Sequence, residues 1–252
     1  MSSDDLKAKE DDIPYEYYID KNKKIVRYTP EKSVSLIKYI YPVWKVRFPP
    51  PPNPRDLEKL QLTTVGIYSI TQPPMIEEMV KAIKEGCKRY GLTYENLTAT
   101  ETHAGVGGMS MRLARDLKHV NLVEINPIHA NVIKNNLGVY NINPRKYKII
   151  QDDYLNVFDK LEQDVIISDP PWGGTNYYEN KKLRLGVDNI DIVYFINTLY
   201  YRKKIKMFVL FVPVNYDMDS FKELLAVPDV FVHETPKHFF IVGAPAPTTP
   251  AV

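Results

Sequence analysis

The sequence predicts an α/β fold, with a mostly parallel sheet and an antiparallel hairpin at its C-terminal edge, on three observations. From about residue 70 onward, short apolar strand-like runs alternate with segments of helical period, the pattern of βαβ units. A glycine-rich turn, "TETHAGVGG", follows the first of those runs, where such folds bring a ligand close to the backbone. The last apolar stretch, "VFVHETPKHFFIVGA", reads instead as two strands joined by a tight turn.

The elements follow in chain order. Residues 1–12, "MSSDDLKAKEDD", hold five acids and two lysines, so they carry −3 of a net charge of +2 and leave +5 on the rest. Such a tail has the composition of disorder. Residues 13–65 form an extension that mixes aromatics and charges without a clean period. It includes "KYIYPVWKVRF" and the prolines Pro49 to Pro52 and Pro54, a run expected to be extended and stiff. Residues 66–243 form the main domain. Within it, "QPPMIEEMVKAIKEGCKRYG" predicts a helix, since Met75, Ile76, Met79, Val80 and Ile83 recur at helical spacing between an initial Pro-Pro and Gly91. Strands are expected at 97–102, 120–125, 147–151, 165–168 and 207–212. Residues 244–252, "APAPTTPAV", read as a floppy tail.

Composition narrows the class. A chain of 252 residues with 44% apolar content suits one large domain, alone or with a small addition. A single cysteine, Cys87, excludes an intramolecular disulfide framework and fits a reducing compartment. No apolar run reaches the length of a membrane span, and the N-terminus lacks a signal-peptide core. The expectation is an intracellular, soluble protein of nucleus or cytoplasm, from a cellular or a viral genome, with no membrane partner and no metal. The mild basic bias outside the tail is compatible with a phosphate-bearing partner, although surface solvation is the commoner cause of charge alone.

Four ordered signals carry chemistry. Glu101, Gly105, Gly107 and Gly108 form an acid-x-x-x-Gly-x-Gly turn, which lacks the third glycine of the dinucleotide fingerprint. It fits the nucleoside-binding turn of S-adenosylmethionine-dependent methyltransferases. "VNLVEINP" ends a strand at Glu124, where a carboxylate can accept both hydroxyls of a ribose. "YKIIQDDYL" places Asp152 and Asp153 after the next strand, as acids facing an adenine amino group or as helix N-caps. Finally, "DVIISDPPWGGTNYY" ends a strand buried on both faces with Asp169-Pro170-Pro171-Trp172. Neither proline can continue a strand, so the chain must leave the sheet there.

That last motif matches the Asp/Asn-Pro-Pro-aromatic pattern of methyltransferases that act on exocyclic amino groups of bases. An aryl amine is a poor nucleophile because its lone pair is delocalised into the ring. The Asp169 carboxylate and the Pro170 carbonyl can accept its hydrogens and raise electron density on nitrogen, and the prolines hold both acceptors rigidly. Trp172 offers a face for stacking a base, with a cation–π contribution if the base is positively charged.

The motifs together resemble those of trimethylguanosine synthases, which methylate guanine N2 of 7-methylguanosine RNA caps. "DPPWGGTNY" resembles their "PPWGGP-x-Y" segment and "GIYSITQPPMIEEMV" their aromatic-Ser-Val-Thr-Pro entry. "HAGVGGMSMRLA" resembles their glycine turn and "FVPVNYDMD" their Phe-Leu-Pro-Arg-Asn segment, while "KYIYPVWKVRF" is more loosely similar. The resemblance spans residues 38–242. It implies a class I, Rossmann-like methyltransferase with a seven-stranded sheet, helices on both faces and a small N-terminal extension. It implies S-adenosylmethionine held by Thr71, Glu101, His103, Gly105, Gly107, Glu124, Asp152, Asp153 and Asp169. It further implies catalysis by Asp169, Pro170 and Trp172, and capped RNA held by Trp172 and Asn215.

Two departures stand out. Val214 occupies the position of the family's arginine, and His103 that of an aromatic. Lys181, Lys182 and Arg184, or Lys45 and Arg47, are the candidates to replace the lost charge. The proline run with the aromatic segment before it is a candidate to cover the substrate pocket or to dock a protein partner. The reading is methyl transfer to guanine N2 of a capped RNA. The alternatives are another base amine (guanine N2 of ribosomal or transfer RNA, or adenine N6) and a catalytically silent RNA-binding scaffold.

Overall fold

The structure, a computed structural model, describes residues 16–19, 25–28, 34–39, 41–174, 176–187 and 190–244. The expected tail at 1–12 and residues 245–252 of the tail expected at 244–252 lie outside the described residues. Ala244 instead ends a strand of the main sheet and is buried.

Eleven strands form two sheets among the described residues. They are β1 (Glu16–Ile19), β2 (Ile25–Tyr28), β3 (Thr98–Glu101), β4 (His119–Val123), β5 (Tyr147–Ile150), β6 (Val165–Ser168), β7 (Arg184–Val187), β8 (Ile190–Asp191), β9 (Met207–Pro213), β10 (Asp229–Glu234) and β11 (His238–Ala244). The helices are α1 (Tyr41–Arg47), α2 (Gly66–Ser69), α3 (Pro73–Tyr90), α4 (Ser110–Asp116), α5 (Pro127–Val139), α6 (Tyr154–Val157), α7 (Ile192–Tyr201) and α8 (Met218–Leu224). The larger sheet has seven strands in the order β10-β11-β9-β6-β3-β4-β5. β9, β6, β3, β4 and β5 run parallel, and β10 and β11 add the antiparallel hairpin.

Alternation along each strand divides the core in two. Val165 and Ile167 of β6 join one cluster with Ile76 and Ile83 of α3, Leu113 of α4 and Ile133 of α5. Ile166 joins the other, with Tyr154 of α6, Val193 and Ile196 of α7 and Phe221 of α8. A strand covered on both faces has no polar positions to spare, which is why it reads as a continuous apolar run. α3 starts at two prolines and stops where Gly91 turns left-handed at φ 70°. β4 ends two residues before the expected boundary, and Ile125 lies beyond it, half exposed.

The extension contributes to the same core as the main domain. Trp44, Phe48, Leu60 and Leu62 are buried in the α3 cluster, and Trp44 Nε1 donates to the Leu60 carbonyl at 2.8 Å. The proline run packs on α5, where the Tyr140 hydroxyl donates to the Pro49 carbonyl at 2.5 Å. There, Pro49, Pro50 and Pro52 wall a cavity of about 280 Å³ with Pro73, Met111 and Tyr140. Neither the burial of Trp44 and Phe48 nor this seat for the prolines is evident from a segment without period.

The second sheet is antiparallel, in the order β2-β1-β7-β8. β1 pairs Tyr17 with Gly186, Tyr18 with Leu185 and Ile19 with Arg184. An N-terminal hairpin is thereby joined to the strand that follows the Asp-Pro-Pro-Trp motif. No local pattern announces this pairing, because edge pairing depends on which edge is within reach rather than on side-chain period.

Candidate active site

Strand order reverses between β3 and β6: β4 and β5 lie to one side of β3, β6 and β9 to the other. Ligands in open α/β sheets bind in the crevice beyond the carboxyl ends at such a point. Most of the predicted residues fall there because they end or follow a parallel strand: Glu101 ends β3 with His103 just beyond it, Glu124 follows β4, Asp152 and Asp153 follow β5, and Asp169 follows β6. Sheet-like hydrogen bonds continue past the strands and hold these loops. Thr102 N–H donates to the Ile167 carbonyl at 3.0 Å, Ala104 N–H to Val123 at 2.9 Å and Glu124 N–H to Ile150 at 3.0 Å.

The glycine turn is held from two directions. Gly105 (φ 55°) and Gly107 (φ 88°) adopt left-handed backbone, and the space beside Gly105 where a side chain would stand is open. Glu124 reaches across, accepting from Gly105 N–H and Asn126 N–H at 2.8 Å each. Asn126 itself caps α5, with proline following, so "INP" is a legible helix start. Behind Glu124, the buried His129 places Nδ1 3.5 Å from its carboxylate and Nε2 3.0 Å from Thr63 Oγ1, which also accepts from Gly66 N–H at 2.8 Å. Sequence reading misses His129 and Thr63, for no spacing links residues so far apart.

Two carboxyls face the crevice, Glu101 buried and Asp169 partly buried. Ser110 Oγ donates to Glu101 at 2.6 Å, and Thr71 Oγ1 donates to Asp169 at 3.3 Å. Burial pushes both acids up to about 8, and the negative charge of Asp169 adds to the effect on Glu101. Burial likewise pushes His103 down to about 4, so its ring is neutral near pH 7, with Nδ1 2.8 Å from Thr102 Oγ1 and 3.5 Å from Ser168 Oγ. Thr71 is placed by the turn itself: a side chain at Gly108 would stand 2.8 Å from the Thr71 carbonyl.

These shifts have a consequence for stability. The folded chain holds the Glu101 and Asp169 protons more tightly than an unfolded one, whose carboxyls titrate near about 4. The stability these two groups contribute should therefore be fully present at or below that range and be lost as pH rises toward about 8. Thermal unfolding at a series of pH values checks this: Asp169→Asn should flatten the decline and unfold later than wild type at pH 8. An unchanged slope would show that Asp169 is ionised throughout.

Trp172 is not an isolated plate. Its ring is partly buried against both cores, edge-on to Tyr177 at 5.0 Å and Phe211 at 5.1 Å, and tilted against His238 at 5.5 Å. Trp172 Nε1 and His238 Nδ1 are buried with no hydrogen-bond partner. Gly173 and Gly174 both turn left-handed, at φ 88° and 87°, and let the chain reverse directly after the ring.

Most of the remaining predicted residues have protein partners. Asn215 Nδ2 donates to the Tyr177 and Asn180 carbonyls at 2.9 and 2.7 Å, tying down the loop beneath Trp172. Asp153 Oδ1 caps α6 by accepting from Leu155 N–H at 2.9 Å, and Asp152 Oδ1 accepts from Asp153 N–H at 2.8 Å and Asn156 Nδ2 at 3.0 Å. Lys182 pairs with Asp219 at 3.0 Å and lies 3.7 Å from Asp217, Arg184 is partly buried against Asp191 (Nε to Oδ2, 2.9 Å), and Lys181 is exposed. Lys45 is exposed and Arg47 partly buried in α1, beside the buried Trp44 and Phe48. Among the described residues no group of His, Cys, Asp or Glu is arranged to hold a metal ion, and no helix is long and apolar enough to cross a membrane.

This geometry agrees with comparisons to known proteins. An uncharacterised protein of Acanthamoeba polyphaga mimivirus is 28% identical over 221 residues, covering 81% of this chain and 86% of its own. The trimethylguanosine synthase of Schizosaccharomyces pombe is 30% identical over 82 residues, 31% of this chain and 34% of the yeast protein. Among solved structures, a Thermus thermophilus 16S rRNA N2 methyltransferase in complex with AdoMet and guanosine superposes with TM-score 0.55 at 13% identity, over 74% of this chain and 47% of that one. The delta-N methyltransferase domain of METTL16 superposes with TM-score 0.51 at 15% identity, over 69% and 84%. At such identities these two show the fold alone, which is that of the class I methyltransferases. The family profile described as RNA cap guanine-N2 methyltransferase matches residues 98–236, more than half of the chain and all of the crevice from β3 to the β10–β11 turn. The chain is a methyltransferase by fold and belongs to the RNA cap guanine-N2 methyltransferase family.

Proposed function

We propose that the chain transfers a methyl group from S-adenosylmethionine to the exocyclic N2 of guanine in a 7-methylguanosine RNA cap. The observation that carries this reading is the position of Asp169, Pro170 and Trp172 together at the end of β6, beside the glycine turn. The catalytic unit in this proposal is residues 66–243, with 13–65 as an extension that completes its core.

The residues fit the cofactor. In support, no atom of the described residues beyond its chain neighbours lies within 4 Å of where a side chain at Gly105 would stand, and Glu124 is held at the turn by two backbone N–H groups. The Glu101 and Asp169 carboxyls, held up to about 8 by burial, would ionise more readily beside a cationic ligand. In this reading Thr71, Glu101, His103, Gly105, Gly107, Glu124, Asp152, Asp153 and Asp169 line the cofactor. When bound, the cofactor supplies a methyl carbon attached to positively charged sulfur. The chain's own groups act on the amine. The Asp169 carboxylate and the Pro170 carbonyl accept its two N–H groups and aim the nitrogen lone pair, a positioning effect that needs little base strength. As nitrogen takes its fourth bond its proton becomes acidic, and Asp169 or water can accept it late. Trp172 stacks on the base, and a cationic 7-methylguanine gains the cation–π contribution.

A second reading, methylation of another base amine, is favoured by the engagement of Lys182 and Arg184 with acids, which leaves fewer charges for a cap's phosphates. Labelled S-adenosylmethionine offered with a 7-methylguanosine cap dinucleotide and its unmethylated counterpart separates the two. Label on N2 of the methylated cap alone is expected. Label on neither, with cofactor bound, would transfer the reading to structured RNA or DNA, and loss of cofactor binding would leave a scaffold.

A further inference from the structure

The carboxylate of Glu124 is held from behind by a chain of buried groups that starts in the N-terminal extension. Gly105 N–H donates to Oε2 and Asn126 N–H to Oε1, each at 2.8 Å. His129, in the first turn of α5, places Nδ1 3.5 Å from the same Oε1. Its Nε2 lies 3.0 Å from Thr63 Oγ1, which accepts from Gly66 N–H at 2.8 Å. Glu124, His129 and Thr63 are all buried, so their polar atoms need partners within the protein.

Thr63 decides where the His129 ring carries its hydrogen. A buried hydroxyl that only accepted would leave its own hydrogen unpaired, and among the described residues Nε2 is the acceptor placed to take it. Thr63 therefore donates to Nε2, and the ring bears its hydrogen on Nδ1. The opposite tautomer would turn the Nδ1 lone pair toward the carboxylate, setting two electron-rich atoms against each other. Both ends of the ring thus favour an Nδ1–H dipole aimed at Oε1. The separation is longer than a good hydrogen bond, so this dipole steers the carboxylate without saturating it. Oε2, with Gly105 N–H as its donor, keeps acceptor capacity for a ligand.

Thr63 is itself fixed in place. Asn136 stands about two turns beyond His129 on the same face of α5 and is fully buried. Its Oδ1 accepts from Gln61 N–H at 2.8 Å, and its Nδ2 donates to the Gln61 and Val106 carbonyls at 3.1 and 3.2 Å. Val106 belongs to the glycine turn, so one side chain ties residue 61 and that turn to one helix. A side chain at Gly66 would stand 2.5 Å from Val106 Cγ1 and 2.8 Å from Thr63 Oγ1, so the backbone there is pressed against both.

We propose that His129, with its tautomer set by Thr63, is a positioning residue that aims the Glu124 carboxylate at the ribose hydroxyls of the cofactor. The proposal rests on the reading of Glu124 as the ribose acceptor. A carboxylate free to rotate must be ordered when the hydroxyls arrive, whereas one already held gives its full hydrogen bond.

The test titrates S-adenosylhomocysteine, the product of methyl transfer, and its 2′,3′-dideoxyribose counterpart by calorimetry. Wild type should prefer the ribose form by at least about tenfold, the worth of one hydrogen bond to a charged acceptor. His129→Leu should cut that preference to about threefold or less while binding the dideoxy form as wild type does. His129→Asn presents an amide N–H where Nδ1 stands and should recover most of it. Thr63→Val, which keeps the shape and loses the hydroxyl, should lie between wild type and His129→Leu, and Thr63→Ser should match wild type. Equal losses for both ligands in His129→Leu, which is what a packing defect gives, or an unchanged preference there, overturns the role of His129. If His129→Leu does not fold, the Thr63 pair decides, and equal preference in Thr63→Val and Thr63→Ser overturns the proposal. A wild type without preference, or Glu124→Gln with the full preference, removes Glu124 from the ribose site, and the proposal falls with that reading. A wild type that binds neither ligand ends the cofactor reading itself.

Discussion

Asp169→Ala is expected to lower methyl transfer by about 10²–10³-fold or more, the cost of removing one preorganised electrostatic partner, while the protein stays folded and binds S-adenosylmethionine. The reason is geometric. Asp169 is the first residue beyond β6, fixed by the strand behind it and the two prolines ahead. Its protonation adds a second observable. Burial holds the carboxyl up to about 8 in the empty site, and only the ionised form accepts both a hydrogen bond and a late proton. The pH profile of kcat/KM, which reports the free enzyme, should therefore climb toward about 8 before levelling. Single-turnover transfer with saturating cofactor measures the loss. Near-normal turnover in Asp169→Ala would remove the residue from the mechanism and leave the Pro170 carbonyl as the acceptor that matters.

Trp172→Ala is expected to weaken a 7-methylated cap analogue roughly 5- to 150-fold, the range given by ~1–3 kcal/mol of stacking, with cofactor affinity almost unchanged. The ring contacts both cores and three aromatic neighbours, so truncation also removes packing. Trp172→Phe keeps much of that packing and reduces the stacking face, so it should lie between wild type and Trp172→Ala in cap affinity while matching wild type in thermal stability. Fluorescence titration of the analogue, paired with calorimetric titration of the cofactor, reads both. If cap and cofactor affinities fall together, the ring is a structural post. The unpartnered Trp172 Nε1 gives a reason to expect some movement when a base arrives, since a buried donor without an acceptor costs about 1–3 kcal/mol.

The proposed chemistry rests on short segments, and each of those is readable on its own. Proline at two successive positions forbids a ladder, so Asp169 had to stand at a strand end whatever the rest of the chain did. Gly105 and Gly107 occupy left-handed backbone that other residues take only with strain, so the turn had to lie between a strand and a helix. α3 was legible from its period, its prolines and Gly91, all acting within a turn or two. The antiparallel β10–β11 hairpin, too, was legible from two apolar runs joined by a tight turn.

What these local rules could not decide was the choice of distant partner. The N-cap role of Asp153 and the cofactor role proposed for it are drawn by the same residue type, and only the position of α6 shows that the cap is made. Arg184 and Lys182 read as free charges until Asp191, Asp217 and Asp219 are brought beside them. Asn215 reads as a pocket residue, yet its amide ties the loop under Trp172. Trp44 and Phe48 gave no period because one short helix buries them against a core assembled from α3, α4 and α5. The sequence by itself determined where the chain turns, which runs are strands and which residues stand at their ends, because φ restrictions and side-chain alternation act over a few residues. Only the tertiary structure decided which charges are neutralised and that Thr63 and His129 stand behind Glu124, because those depend on contacts between segments whose separation along the chain no local pattern records.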